Sequence, residues 1–277
     1  MKPFLLAIAL LYSFSTRLSA QTDTCMLSAA QHQIVSDFSE VDREFWVSLP
    51  MRYDSTESYP VLYVLDGEWR FNLVQQIAYD LGGNRVIPHH IVVGIPHIDW
   101  REQRQIDLTF SQSKNEYDST LAVVGEYTPS NTGGAADFYR HLSEEVVPLV
   151  DAHYATSRER ILVGHSYGGY FASYILPTDT VFTGYQIYDP SIWYSYGEVL
   201  EHFRENQEHL SSCRTFISFQ PVPDYHASKI RELIELLQEE TRIGLHLREY
   251  PKETHNSLYM YSVIDGLKAH YSAHRKR

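Results

Sequence analysis

A serine set between two glycines, Gly164-His165-Ser166-Tyr167-Gly168, is the part of this chain whose residue types and spacing point most directly to chemistry. An apolar β run, Ile161 to Val163, stops at Gly164, and a helix-compatible stretch begins at Ser166. A nucleophile elbow needs this context of strand, sharp turn and helix, with the serine hydroxyl at the tip. A side chain at Gly164 or Gly168 is expected to collide with backbone where strand and helix nearly touch. The turn also aims the amides of the helix start at negative charge forming beside the serine. The same position suits a plain helix N-cap. The strand before it and Gly168-Gly169 after it favour the nucleophile.

A serine hydroxyl is a weak nucleophile at neutral pH, so it needs a base within hydrogen-bond reach and a carboxylate to orient that base. Of the 14 histidines, His255 sits where the base belongs, in a polar loop between the last strand pattern, Leu245 to Tyr250, and the final helix pattern, Leu258 to His270. His165 lies in the elbow itself and is expected to point away from the serine. Asp224, in the loop after the Thr215 to Phe219 strand, is the favoured acid, because active-site groups gather at the C-terminal ends of parallel strands. It also reads as an ordinary helix starter. Asp189, just past the preceding strand in Tyr188-Asp189-Pro190-Ser191, competes with it, and Glu253 is a third option. An oxyanion needs two amide donors. Tyr167, after the serine, supplies one. Glu68 supplies the other, in Leu65-Asp66-Gly67-Glu68-Trp69 at the end of an early apolar strand.

The elements that must hold these groups alternate between strand and helix patterns, which predicts an α/β fold with a mostly parallel central sheet and helices on both faces. Strands are expected at Ile34 to Phe38 and Arg43 to Leu49 (an antiparallel pair), Pro60 to Leu65, Ile91 to Ile95, and Gly184 to Tyr188. Helices are expected over Trp69 to Leu81, Ala135 to Tyr154 with a disturbance at Pro148, Ser166 to Leu176, and Ala227 to Glu240. Residues 96 to 134 are polar and too long for a simple connection, and read as a functional loop or lid.

The 277 residues, 43% of them hydrophobic, suffice for one large domain over residues 21–277. Residues 1–20 read as a secretory signal peptide: Lys2, an apolar run from Phe4 to Tyr12, then Leu18-Ser19-Ala20 before Gln21. The run is short for a membrane span, so stable membrane insertion is not expected. Removing the segment leaves 21 Lys+Arg against 35 Asp+Glu, a formal charge of −14. So acidic a chain is a poor partner for nucleic acid or an anionic membrane. Cys25 and Cys213 pair in an oxidising compartment or remain free thiols; both readings stay open. Two cysteines cannot make a Cys-based zinc site and no His-Glu-x-x-His pattern appears, so no metal or cofactor is expected; the oligomeric state is not legible.

Taken in order, several segments resemble an esterase family of α/β-hydrolases that includes siderophore esterases, feruloyl esterases, S-formylglutathione hydrolases and antigen 85 acyltransferases. They are Val61-Leu62-Tyr63-Val64-Leu65-Asp66-Gly67, Val92-Val93-Gly94-Ile95, Arg104 with Asp107-Leu108-Thr109, Gly133-Gly134-Ala135-Ala136-Asp137-Phe138, the elbow, Asp189-Pro190-Ser191-Ile192-Trp193-Tyr194 and His255-Asn256-Ser257. The resemblance spans about residues 30 to 270 and implies Ser166 as nucleophile, His255 as base, and the Tyr167 and Glu68 amides as oxyanion donors. It departs near the acid, where Gln220-Pro221-Val222-Pro223-Asp224 puts proline at the family's usual glutamate position. The expected activity is an exported serine carboxylesterase acting through an acyl-enzyme on a small-molecule ester. A siderophore or aromatic ester fits the 21 tyrosines, with Trp193, Arg101 and Arg104 as substrate contacts. An acyltransferase of the same fold and a non-catalytic ligand-binding relative are the rival readings.

Overall fold

Tyr59–Leu65 (β3) is buried at every position, as a strand covered on both faces must be. In the computed structural model, which describes residues 28–39, 41–97, 103–113 and 128–272, it pairs in parallel with Ile91–Ile95 (β4) and Thr156–His165 (β5). Gly184–Tyr188 (β6), Cys213–Phe219 (β7) and Ile243–Glu249 (β8) extend the parallel sheet beyond β5. Ala30–Ile34 (β1) and Arg43–Ser48 (β2) are antiparallel to each other, and β2 is antiparallel to β4. The order is β1-β2-β4-β3-β5-β6-β7-β8. With helices on both faces, this is the α/β-hydrolase fold.

Alternation along β3 divides the core. Val61, Tyr63 and Leu65 face the layer containing Ala135–Arg140 (α3), Val147–His153 (α4), Tyr167–Ile175 (α5), Glu198–Asn206 (α6) and Asp224–Gln238 (α7). Leu62 and Val64 face Gly67–Gly83 (α1) and Leu258–His270 (α8). Each such aliphatic side chain contributes roughly 1.5–3 kcal/mol on burial, so the central strands are a rigid mount for the loops at their C-terminal ends.

Several expectations shift. The first strand covers Ala30–Ile34 rather than Ile34 to Phe38, because the chain turns off the sheet where Ser36 Oγ and the Asp37 amide both donate to the Glu145 carboxylate, each at 2.7 Å. The long helix expected over 135–154 is interrupted by a π turn, His141–Val146, immediately before α4. Pro148 in the first turn of α4 has no N–H to donate back, and the wider turn accommodates it. Helix α6 was not expected; it follows left-handed Ser195 and Tyr196 (φ 49° and 60°) and Gly197. The described parts of the 96–134 stretch contain a short helix, Gln103–Leu108 (α2), and a 3-10 turn, Pro129–Asn131. The signal segment, Cys25 and Arg101 lie outside the described residues. Cys213 is buried and has no disulfide partner among the described residues. No helix among the described residues is long and apolar enough to cross a membrane.

Candidate active site

Ser166 stands between β5 and α5 with φ 59° and ψ −116°, a strained backbone that a serine adopts only when its surroundings enforce it. The Ser166 amide donates to the Tyr188 carbonyl (3.0 Å), and its carbonyl accepts from Ser191 N–H (3.0 Å), tying the elbow to the end of β6. Its Oγ lies 3.3 Å from Ser191 Oγ. A Cβ on Gly164 would sit 2.2 Å from the Gly168 carbonyl oxygen, so glycine is mandatory there. Gly168 is different from expectation: a Cβ would meet Leu65 at an ordinary 3.5 Å. The second crowded glycine is Gly169, against Pro190 at 2.9 Å.

His255 Nδ1–H donates to Asp189 Oδ2 at 2.6 Å, and the Asp189 side chain is fully buried. Asp189 turns off β6 with φ 42°, and its Oδ1 accepts the Gln220 amide (3.1 Å) from the end of β7. Burial raises its pKa, but the imidazoles of His226, in ion-pair contact, and His255, through its hydrogen bond, outweigh burial and hold the carboxylate well below its usual range. Asp224, the favoured acid in the sequence, is not brought to His255. It is the first residue of α7, its side chain is 93% exposed, and its nearest ion-pair partner is Arg231 at 3.9 Å. It acts there as an acidic residue at a helix start. Strands β6 and β7 are neighbours, about 4.8 Å apart, so a carboxylate on either loop can reach the same imidazole. The proline-rich β7 loop sends its aspartate to solvent instead. Glu253 is turned to Ser257, whose Oγ–H its carboxylate accepts at 2.7 Å, while His255 Nδ1 is taken by Asp189.

His165 does not point away from the site. Arg70 Nη2 lies 3.1 Å from His165 Nδ1, and His165 Nε2 lies 2.7 Å from the His255 carbonyl oxygen. Guanidinium only donates and carbonyl only accepts, so Nδ1 is the bare nitrogen and Nε2 carries the proton. Burial, then the nearby His255 and Arg70, push the His165 pKa far down and keep it neutral. A neutral imidazole with a fixed tautomer thus clamps the backbone of the His255 loop to the elbow.

Glu68 is the second residue of α1, behind Gly67, whose Cβ would lie 2.9 Å from the Ile95 backbone. The amides of Trp69 and Arg70 bond the Asp66 carbonyl, so the Glu68 amide precedes the helix ladder. Tyr167 likewise opens α5. Burial raises the Glu68 carboxyl pKa, while the charge of His97 and the hydrogen bond from the His97 amide oppose that. The turn before α1 is fixed by Asp66, buried and left-handed at φ 55°, which takes a two-point ion pair from Arg104 (2.5 and 2.9 Å). Behind it, Arg43 and His97 both bond Asp107, and His97 Nε2 stands 3.4 Å from Asp66 as a charge contact. Burial pulls the His97 pKa down, but the two aspartates prevail and carry it up to about 9.

Ser166, His255, His165, Trp69, Arg70 and Arg104 line one cavity of about 410 Å³. Arg104 lines it, as expected, with its charge committed to Asp66 and its guanidinium 5.7 Å from both the Trp69 and Tyr167 rings. Trp193 is not among the lining residues; its ring packs against Tyr167 at 6.0 Å. The site adds three residues the sequence did not mark: Arg70, Ser191 and His226, whose Nε2 is 3.0 Å from Asp189 Oδ1. Arg70 is one turn into α1 and His226 is three residues after a proline in α7, so no local pattern distinguishes them from surface positions.

Residues 36–178 match the model of the family described as "Putative esterase". The chain belongs to this family. It is an ester-hydrolysing enzyme of the serine hydrolase type. Its relatives include the Apo-salmochelin esterase of Escherichia coli O6:H1, 24% identical over 274 residues, covering 89% of this chain and 83% of that protein. The Ferri-bacillibactin esterase BesA of Bacillus subtilis (strain 168) is 26% identical over 243 residues, covering 80% and 82%. Among solved structures, an IroE-like serine hydrolase from Shewanella oneidensis superposes with a TM-score of 0.78 at 26% identity, covering 87% of this chain and 79% of that one.

Proposed function

We propose that this esterase hydrolyses a siderophore-type ester through an acyl-enzyme, with Ser166 as nucleophile, His255 as general base and Asp189 as the orienting acid. The observation that carries the reading is the 2.6 Å contact of His255 Nδ1 with buried Asp189, on a histidine that shares a cavity with a strained elbow serine. Asp189 holds the His255 proton on Nδ1, which leaves Nε2 bare to take the Ser166 proton. The amides of Tyr167 and Glu68, at two helix starts, receive the oxyanion. Water then releases the acid. Two curated relatives are named for salmochelin and bacillibactin, and the cavity offers an aromatic wall, Trp69, and a cation, Arg70. Among the described residues no carboxylate lies within 4.0 Å of the Arg70 guanidinium, which stacks on the Tyr259 ring at 4.2 Å. It suits the anionic catecholate of such a substrate. Residues 1–20 carry the proposal of export.

The test is hydrolysis of p-nitrophenyl esters and of a ferric tricatecholate ester, with products identified by mass spectrometry. Ser166→Ala is expected to abolish both hydrolysis and labelling by a fluorophosphonate probe; retained turnover overturns the assignment. Arg70→Leu is expected to raise KM for the ferric ester by a larger factor than KM for the neutral p-nitrophenyl ester.

A further inference from the structure

His226 is 5% exposed, and its Nε2 faces Asp189 Oδ1 at 3.0 Å, yet among the described residues this nitrogen makes no hydrogen bond. The distance is that of a hydrogen bond, but the geometry does not make one. That combination is unusual for a buried imidazole beside a carboxylate, where a linear N–H to oxygen bond would be the stable arrangement. It is the arrangement expected of two atoms that bind one ion. Ligands held at about 2.0–2.1 Å by a tetrahedral zinc stand about 3.3 Å apart, and each points at the metal rather than at its neighbour. A third donor is present. One atom from each of Asp189, His226 and His255 lies within 4.8 Å of the other two. The rings of His226 and His255 are 5.9 Å apart and nearly perpendicular, at 83°, so they approach the carboxylate from different sides.

We propose that Asp189, His226 and His255 form a zinc-class metal site that switches the hydrolase off. Two imidazoles and one carboxylate are a donor set for borderline divalent ions, which place Zn²⁺ and Cu²⁺ ahead of Mg²⁺ and Ca²⁺. The His255 ring, 36% exposed in the wall of the Ser166 cavity, is the way in. The inhibition rests on the reading of His255 as the general base. Metal at His255 Nδ1 replaces the proton that Asp189 now holds there. A neutral His255 keeps its single proton by moving it to Nε2, and His226 carries its own on Nδ1, so no redox change or covalent bond is involved. The Nε2 that should take the Ser166 proton is then already protonated, and the Asp189 carboxylate is drawn to the metal.

The experiment uses untagged full-length protein freed of metal by chelation, with Co²⁺ and Zn²⁺ as probes. Co²⁺ is expected to give the intense visible bands of a tetrahedral site. Micromolar free Zn²⁺ is expected to suppress p-nitrophenyl ester turnover reversibly, with recovery on EDTA. His226→Leu removes a ligand, and His226→Gln does so with a polar side chain of similar reach, in case the first variant folds poorly. Each is expected to weaken Co²⁺ binding by more than the about 100-fold that loss of an outer-sphere partner costs. Each should also abolish zinc inhibition measured against that variant's own metal-free rate. Ser166→Ala should keep the cobalt spectrum. Absence of Co²⁺ bands in the native chain, or equal Zn²⁺ sensitivity in both His226 variants, overturns the site. Cobalt bands that depend on His226 in a chain without ester turnover leave the site standing and refute the hydrolytic reading instead.

Discussion

Replacing Asp189 by asparagine tests the heart of the proposed machinery, and the structure dictates how it should fail. Asp189 Oδ1 accepts the Gln220 backbone N–H at 3.1 Å, and Oδ2 accepts His255 Nδ1–H at 2.6 Å. An asparagine of the same shape must keep its oxygen toward Gln220, because an NH2 there would face another donor. Its NH2 therefore turns to His255, which must present a bare Nδ1 and carry its proton on Nε2. The imidazole is then the wrong tautomer for taking the Ser166 proton. In serine hydrolases such an inversion lowers kcat by about 10⁴, or about 5.4 kcal/mol of transition-state stabilisation. KM should barely change, since the substrate does not touch Asp189. Asp224→Asn, at a 93% exposed side chain, should leave kcat within about twofold. The assay is steady-state hydrolysis of a p-nitrophenyl ester, with thermal melts to confirm that Asp189→Asn is folded. A larger loss in Asp224→Asn, or a fully active, folded Asp189→Asn, refutes the argument.

Three further outcomes follow from packing and charge. Gly164→Ala should destabilise the fold by about 3 kcal/mol or more, since its Cβ meets backbone at 2.2 Å, whereas Gly168→Ala should stay within about 1 kcal/mol; urea midpoints measure both. Arg104→Met strips buried Asp66 of its two-point partner and should cost about 3–5 kcal/mol, partly recovered in the double variant with Asp66→Asn. His97 holds its proton to about pH 9 when folded against about 6.5 when unfolded, because Asp107 and Asp66 outweigh burial. Its stabilisation, about 3 kcal/mol, is complete below about pH 6.5 and is lost as pH rises through about 9. Unfolding midpoints measured across that range should fall in the native chain and stay flat in His97→Phe.

What can be read from the chain alone is local. The strand-turn-helix around Ser166 is written in contiguous residues, since the β run, the glycine and the helix start each act on their own few neighbours. Apolar runs such as Val61 to Leu65 likewise announce a strand buried on both faces, and the order of strand and helix patterns announces the sheet. The proposed base, His255, could be singled out because its place, between the last strand and the last helix, is a matter of chain order. The proposed acid could not be singled out in that way. Asp189 and Asp224 each follow a parallel strand, each lies in a polar turn, and each suits a helix start. Only the packing of β6 beside β7 separates them, by burying one carboxylate beneath the imidazole and turning the other into water. The same holds for His165, Arg70 and His226, whose partners are 95, 95 and 37 residues away along the chain. Burial, tautomer and charge depend on what lies across space. Contacts of that range are set by how whole elements pack, and no short pattern encodes them.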